Sequence, residues 1–260
     1  ITHFDLANNY GPPYGSAEET MGLLMRDDFR PYRDELFIAT KAGYDMWEGP
    51  YGNWGSRKYL MASLDQSLKR MGLDYVDLFY SHRYDPATPL EETLQAMVDI
   101  VRQGKALYMG ISSWPLEALK FADRYLRERD VPLLIYQGRL NMIDRAPQEE
   151  GILDYCHEHD IGFISFSPLA QGLLTDRYLN GIPADSRMAK ERSLKHAALT
   201  PELLARLKRW NAQASERDET LAEMALAWIL HQKGVTSVLV GASSTAQLEK
   251  DMKCVHAKTF

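Results

Sequence analysis

Residues 75–112 read YVDLFYSHRYDPATPLEETLQAMVDIVRQGKALYMGIS, and this stretch decides the fold. Two short apolar runs, Tyr75–Ser81 and Ala106–Ile111, flank a longer amphipathic segment from Pro89 to Gln103. Apolar runs of this length between turns suit strands buried on both faces. The middle segment sets Leu90, Leu94, Met97 and Val101 on one helical stripe. It opens on a proline and stops at Gly104, the usual asymmetry of helix ends. Strand, helix and strand in succession call for parallel strands joined by a helical crossover.

The same alternation extends outward in both directions. Further strands are expected at Thr2–Leu6, Leu36–Lys41, Leu133–Gln137, Gly162–Ser167 and Val238–Gly241. Helices are expected at Ser56–Met71, Pro115–Arg129, Glu149–Asp160, Pro201–Arg217 and Leu221–Lys233. The first of these carries Leu60, Leu64 and Leu68 on one stripe and meets Gly72 at its end; Thr220 and Glu223 have capping-box spacing before the last. The α/β pattern fits a (β/α)8 TIM barrel best. Such a barrel needs eight strands, and the chain opens directly on one at Ile1. The first β/α unit is therefore expected to be missing from this chain. A doubly wound sheet is the second candidate, but GxGxxG after a first strand is absent. No linker or low-complexity tract interrupts the chain, which is read as a single domain over residues 1–260. The long polar stretch from Leu169 to Thr200 is expected to be a functional loop.

Composition bounds the function. A chain of 260 residues, 45% hydrophobic and 25% charged, is ordinary for a globular protein. A net charge of −6 argues against a nucleic-acid binder, which needs a basic face, but leaves room for a local anion site. Cys156 and Cys254 have neither metal-ligand spacing nor the number for a disulfide framework, so no metal is expected and a reducing cytoplasm fits. No apolar run reaches the length of a membrane span, and no signal peptide or membrane partner is expected.

Three consecutive strands end in ionisable residues: Asp5, Lys41 and His82. In a barrel the carboxyl ends of parallel strands emerge on one face, where active sites are built. Tyr10 lies five residues past Asp5, in the loop over that face. Hydride addition to a carbonyl builds negative charge on oxygen, which then needs a proton. A phenol is a poor acid at neutral pH unless a neighbouring ammonium favours the phenolate. Lys41 can be that ammonium, Asp5 its counter-charge, and His82 a donor that orients the carbonyl oxygen. Taken singly, each has a structural reading: an ion pair, a satisfied histidine, loop packing. Their occurrence on successive strands favours a carbonyl reductase with Tyr10 as proton donor.

These residues resemble the aldo-keto reductases. FDLANNYG (4–11), IATKAG (38–43), DLFYSHR (77–83), GISSW (110–114), SFSPLAQGLL (165–174) and VLVGASSTAQLEKD (238–251) occur in the family's order and cover nearly the whole chain. The resemblance implies a (β/α)8 barrel, an NADPH cofactor, reduction of small aldehydes or ketones, and catalysis by Asp5, Tyr10, Lys41 and His82. AGYDMW, SRKYL, YSHR, PLAQGLLT and NGIPADSRM resemble the L-glyceraldehyde 3-phosphate reductase branch, close to the potassium-channel β-subunits. That branch implies L-glyceraldehyde 3-phosphate or methylglyoxal as substrate, and a homo-oligomer (tetramer or octamer). The alternative is a regulatory, NADPH-binding β-subunit-like module with little turnover. The channel subunits carry Asn where this chain has His82, which favours the enzyme.

Cofactor contacts follow. Ser112 and Gln137 can supply the donors and acceptors a carboxamide needs, and Phe166 a flat face for the nicotinamide. Ser167, Leu169 and Gly172 suit an anion-cradling loop. Arg177 and Arg187 resemble the branch's basic residues for a 2′-phosphate, though a solvated surface charge is the alternative for either. Ser243 and Gln247 open the last segment at a helix start. Asp251 closes that segment, where relatives have Glu-Asn and this chain has Lys250-Asp251. Trp47, Tyr51 and Trp54, in the loop after Lys41, can wall the site or form an oligomer surface. Arg83 is expected to pair with Asp85, with a substrate phosphate as its other possible partner.

Overall fold

The computed structural model describes residues 1–190 and 194–258. They form two compact units, Ile1–Gln137 and Gly138–Phe260. Five strands begin in the first: β1 (His3–Asp5), β2 (Phe37–Ala42), β3 (Val76–Ser81), β4 (Ala106–Ser112) and β5 (Leu133–Arg139). They pair in chain order, all parallel. β3 is buried along its whole length, Asp77 and Ser81 included with its apolar residues.

The helices of this unit are α1 (Ser16–Leu24), α2 (Arg57–Met71), α3 (Leu90–Arg102) and α4 (Leu116–Arg127). The Ser56 side chain caps α2 by accepting the Tyr59 amide, and Leu60, Leu64 and Leu68 are buried. Pro89 sits at the N-cap of α3 rather than inside its first turn. The buried face of α3 is Leu94, Met97, Val98 and Ile100, turned from the expected stripe of Leu90, Leu94, Met97 and Val101.

α1 was not expected from the pattern. It runs into a π-helical turn at Met25–Phe29 and a 3-10 turn at Arg30–Glu35. Its anchor is polar: the fully buried Glu18 accepts from Thr40 Oγ1 on β2 at 2.5 Å and from Arg70 Nε on α2 at 2.7 Å. A buried carboxylate of this kind must be paired. On the neighbouring pair of strands, Asp77 of β3 accepts the Ile38 amide of β2 at 2.7 Å.

The second unit contains β6 (Gly162–Phe166) and β7 (Val235–Val238), a parallel pair. The expected strand at Val238–Gly241 is thus displaced toward the N-terminus. Val235, Ser237 and Val238 pair with Phe163, Ile164 and Ser165 of β6, and Val235, Thr236 and Val238 are β-branched. Beyond them the Leu239 amide donates to Ser165 O at 2.9 Å. The expected helix at Glu149–Asp160 is two pieces, α5 (Ala146–Glu149) and α6 (Ile152–Glu158), because Gly151 between them takes a left-handed φ of 77°. α7 (Pro201–Glu216), α8 (Leu221–Leu230) and α9 (Thr245–Met252) complete the unit. The capping box at Thr220 and Glu223 is present in full.

The described residues of the stretch 169–200, which exclude 191–193, are not a free loop. The stretch carries 3-10 turns at Ala170–Gly172, Asp176–Tyr178 and His196–Ala198. Leu173, Leu174, Tyr178, Met188 and Leu194 from it pack with Leu207, Leu221 and Met224 into this unit's core. The apolar residues are spaced too irregularly for a helical or strand period to register them. Among the described residues no helix is long and apolar enough to cross a membrane, and no group of three His, Cys, Asp or Glu side chains could hold a metal.

Candidate active site

Parallel register delivers three chemical groups to the same end of β1, β2 and β3. Asp5 is the last residue of β1, Lys41 lies opposite Tyr80 near the end of β2, and His82 follows β3. The Lys41 side chain is fully buried. Its Nζ donates to Asp5 Oδ2 at 2.5 Å, to Leu6 O at 2.7 Å and to the Tyr10 hydroxyl at 3.4 Å. Three acceptors for three N–H groups satisfy a charge that burial would otherwise penalise heavily. The second Asp5 oxygen accepts from Gln137 Nε2 at 3.0 Å.

Tyr10 is 36% exposed, so its ring is open to solvent on one side while its hydroxyl meets Lys41. His82 presents its ring edge-on to Tyr10 and to Tyr44, with centroids 5.8 and 4.7 Å apart. Burial, then the charges of Lys41 and Arg83, push its imidazole down to about 3. It is therefore neutral at neutral pH, and its Nδ1 is buried with no partner among the described residues. Gly43 permits this packing: a Cβ there would lie 2.9 Å from His82 Cβ.

Ser112 and Gln137 are register partners on β4 and β5. Ser112 is buried at 3% exposure. A hydroxyl beside a primary amide is a polar set that suits a carboxamide.

The aromatics of the loop after Lys41 each meet a different partner. Trp47 packs on Tyr59, with centroids 5.2 Å apart; Tyr51 lies under Lys58; Trp54 lies 3.5 Å from the Arg83 guanidinium. The expected Arg83–Asp85 ion pair is not formed. Asp85 instead accepts the backbone amides of Gly55, Ala87 and Thr88 at 2.9, 2.8 and 3.2 Å. A short carboxylate ahead of a turn satisfies local amides more readily than it reaches along the chain. Arg83 turns to Gly43 O and Asn53 Oδ1, both at 2.6 Å.

Tyr80 was not singled out from the sequence. It is fully buried, 5.5 Å from Lys41 Nζ by its ring centroid, and burial pushes its phenol well above the usual range. Its register opposite Lys41 was the only signal available. Tyr44 and Asn53 were likewise missed, because loop trajectory alone brings them to His82 and Arg83.

In the second unit, parallel pairing makes β6 and β7 emit their following segments from the same end. Phe166 closes β6, half-buried. Ser167, Ala170, Gln171 and Gly172 all have left-handed φ, at 51°, 47°, 59° and 98°. The Leu169 carbonyl accepts the amides of Gly172 and Leu174 at 2.9 and 3.1 Å, so Gly172 contributes conformation rather than a spare donor. Arg177 is exposed and pairs with Asp185 at 2.8 Å, and Arg187 is exposed. The Ser243 amide and hydroxyl both donate to Gln247 Oε1, at 3.1 and 3.0 Å, ahead of α9. Asp251 is buried with one carboxylate oxygen unpartnered among the described residues, and desolvation raises its carboxyl above the ordinary value.

Residues 1–259 match the family model described as "Aldo/keto reductase family". The chain belongs to the aldo/keto reductase family. It is 56% identical over 265 residues to L-glyceraldehyde 3-phosphate reductase of Escherichia coli (strain K12), covering 100% of this chain and 76% of that protein. It is 37% identical over 262 residues to a probable voltage-gated potassium channel subunit beta of Arabidopsis thaliana, covering 98% and 78%. Among solved structures, a thermostable aldo-keto reductase in complex with the inhibitor epalrestat matches with a TM-score of 0.75 at 28% identity, covering 100% of this chain and 78% of that one. The expected family, branch resemblance and α/β aldo-keto reductase fold are borne out. As an aldo-keto reductase the chain is an oxidoreductase, and the family generally uses NAD(P)H.

Proposed function

We propose that this aldo-keto reductase reduces small aldehydes with NADPH, and that Tyr10 is the proton donor. The observation that carries the reading is Lys41 Nζ, held 2.5 Å from Asp5 Oδ2 and 3.4 Å from the Tyr10 hydroxyl beside a neutral His82. When bound, the cofactor supplies the hydride to the carbonyl carbon. Tyr10 gives its proton to the carbonyl oxygen as charge builds there. Lys41 stabilises the tyrosinate left behind, and Asp5 keeps the ammonium charged and in place. His82, neutral at working pH, donates one N–H to the carbonyl oxygen and fixes its direction. Ser112 and Gln137 are the proposed partners of the carboxamide. In the second unit Phe166 is the proposed stacking face, Ser167, Leu169, Arg177, Arg187, Ser243, Gln247 and Asp251 are the proposed partners of the cofactor's phosphates and adenosine, and Gly172 serves that proposed site by giving the loop its conformation.

The 56% identical relative's name makes L-glyceraldehyde 3-phosphate the first substrate to test, with methylglyoxal as the second. The 37% identical relative named as a channel subunit makes a slow NADPH-binding module the reading to exclude. The test is NADPH oxidation with each aldehyde, comparing the native chain with Tyr10→Phe. Removing a general acid costs roughly 10²- to 10⁴-fold in turnover, with NADPH affinity little changed. Equal turnover in both proteins would remove Tyr10 from the role. Tight NADPH binding without turnover in the native chain would favour the regulatory module.

A further inference from the structure

Arg83 follows His82 directly and is half-buried. Its planar surface meets Trp54, 3.5 Å from the guanidinium carbon to the ring centroid, and Tyr44 at 4.4 Å. A guanidinium has five N–H donors. Nε donates to Gly43 O and Nη2 to Asn53 Oδ1, each at 2.6 Å, and the other three N–H groups engage no partner among the described residues.

Its charge is not compensated either. Among the described residues no carboxylate lies within ion-pair reach of Arg83 (Asp85 is committed to the amides of Gly55, Ala87 and Thr88, and Asp45 accepts from the Asn53 amide). Partly buried cations are usually paired, since desolvation penalises a lone charge. This one is fixed by two neutral acceptors and two aromatic faces, in a protein whose net charge is −6. Its field reaches the candidate site, where it contributes to holding His82 neutral. A rigid, oriented, uncompensated guanidinium with free N–H groups matches the fork geometry of a phosphate better than any lysine would.

We propose that Arg83 is a specificity-determining residue, favouring aldehydes that carry a phosphate by binding that group beside His82. The inference rests on the aldehyde reductase reading and adds a reason for substrate choice.

The test compares the native chain with Arg83→Gln and Arg83→Lys, with NADPH and either glyceraldehyde 3-phosphate or methylglyoxal. Losing a charged hydrogen bond predicts a KM for the phosphorylated aldehyde about 10- to 100-fold higher in Arg83→Gln, with methylglyoxal changed less than about threefold. Arg83→Lys keeps the charge and should retain part of the preference. Equal losses on both aldehydes would overturn the proposal, leaving Arg83 as a brace for the 43–55 loop. Calorimetric titration of glycerol 3-phosphate, the alcohol that reduction would release, into the NADP-loaded chain gives a readout without turnover. Binding that weakens in Arg83→Gln supports the proposal; equal affinity in both proteins refutes it. If the native chain reduces neither aldehyde, the reductase reading fails, and the calorimetry still decides on Arg83.

Discussion

His82 owes its chemistry to where β3 leaves it. Desolvation acts first and the neighbouring cations second, and together they hold the imidazole at about 3, against an ordinary value of 6.5. The ring should therefore show no NMR titration between pH 8 and 5; a midpoint near the ordinary value would contradict its burial. Folding stability carries the same signature. Between the two values the unfolded chain binds a proton that the folded chain refuses. The contribution is thus fully present above pH 6.5 and is lost as pH falls toward 3, reaching roughly 5 kcal/mol at most. Asp5, Lys41 and His82 were legible because ionisable residues closed successive apolar runs, and Tyr10 because it lies five residues past Asp5. The partners of Arg83 were not, since nothing in RYDP distinguishes an arginine that turns back to Gly43 and Asn53 from one that reaches Asp85.

At the level of elements, helix ends were the most readable features. Thr220 caps as its spacing to Glu223 indicates, and Ser56, the first residue of the expected helix, is that helix's cap, since a side-chain oxygen satisfies amides that the helix cannot. Ser56→Ala should cost about 1 kcal/mol, measured by urea denaturation, with the Tyr10-dependent turnover retained. A loss within error would show that the cap is redundant with the packing of Leu60, Leu64 and Leu68. Less readable were elements held by polar or irregular contacts. α1 has no clean apolar stripe because Glu18 is its buried anchor. β7 begins at Val235 rather than in the more apolar VLVG that follows, because pairing with β6 and not hydrophobicity defines it. Gly151 divides a helix whose pattern reads as continuous.

For the molecule as a whole, the order of motifs carried more than any single one. Alternating strands and helices indicated the fold class, and the family match over residues 1–259 agrees with it. The stretch 169–200 went the other way: polar by composition, it supplies Leu173, Leu174, Tyr178 and Met188 to the core of the second unit. Its fixed turns come from this tertiary burial, which local sequence does not encode. The consequence is that the left-handed residues between Ser167 and Gly172 sit on a packed support, the condition for holding a loop in an uncommon backbone conformation.

The seclusion of Lys41 also makes it a reporter. Amine-directed acylation in solution needs an accessible, unprotonated nitrogen, and the Lys41 nitrogen is shielded and held by three acceptors. In a footprinting experiment read by mass spectrometry, Lys120, whose side chain is 43% exposed, should be modified early and Lys41 last. Matching rates at the two lysines would mean that the strand ends open readily. A wide separation would turn Lys41 into an internal clock for that opening, readable without any substrate.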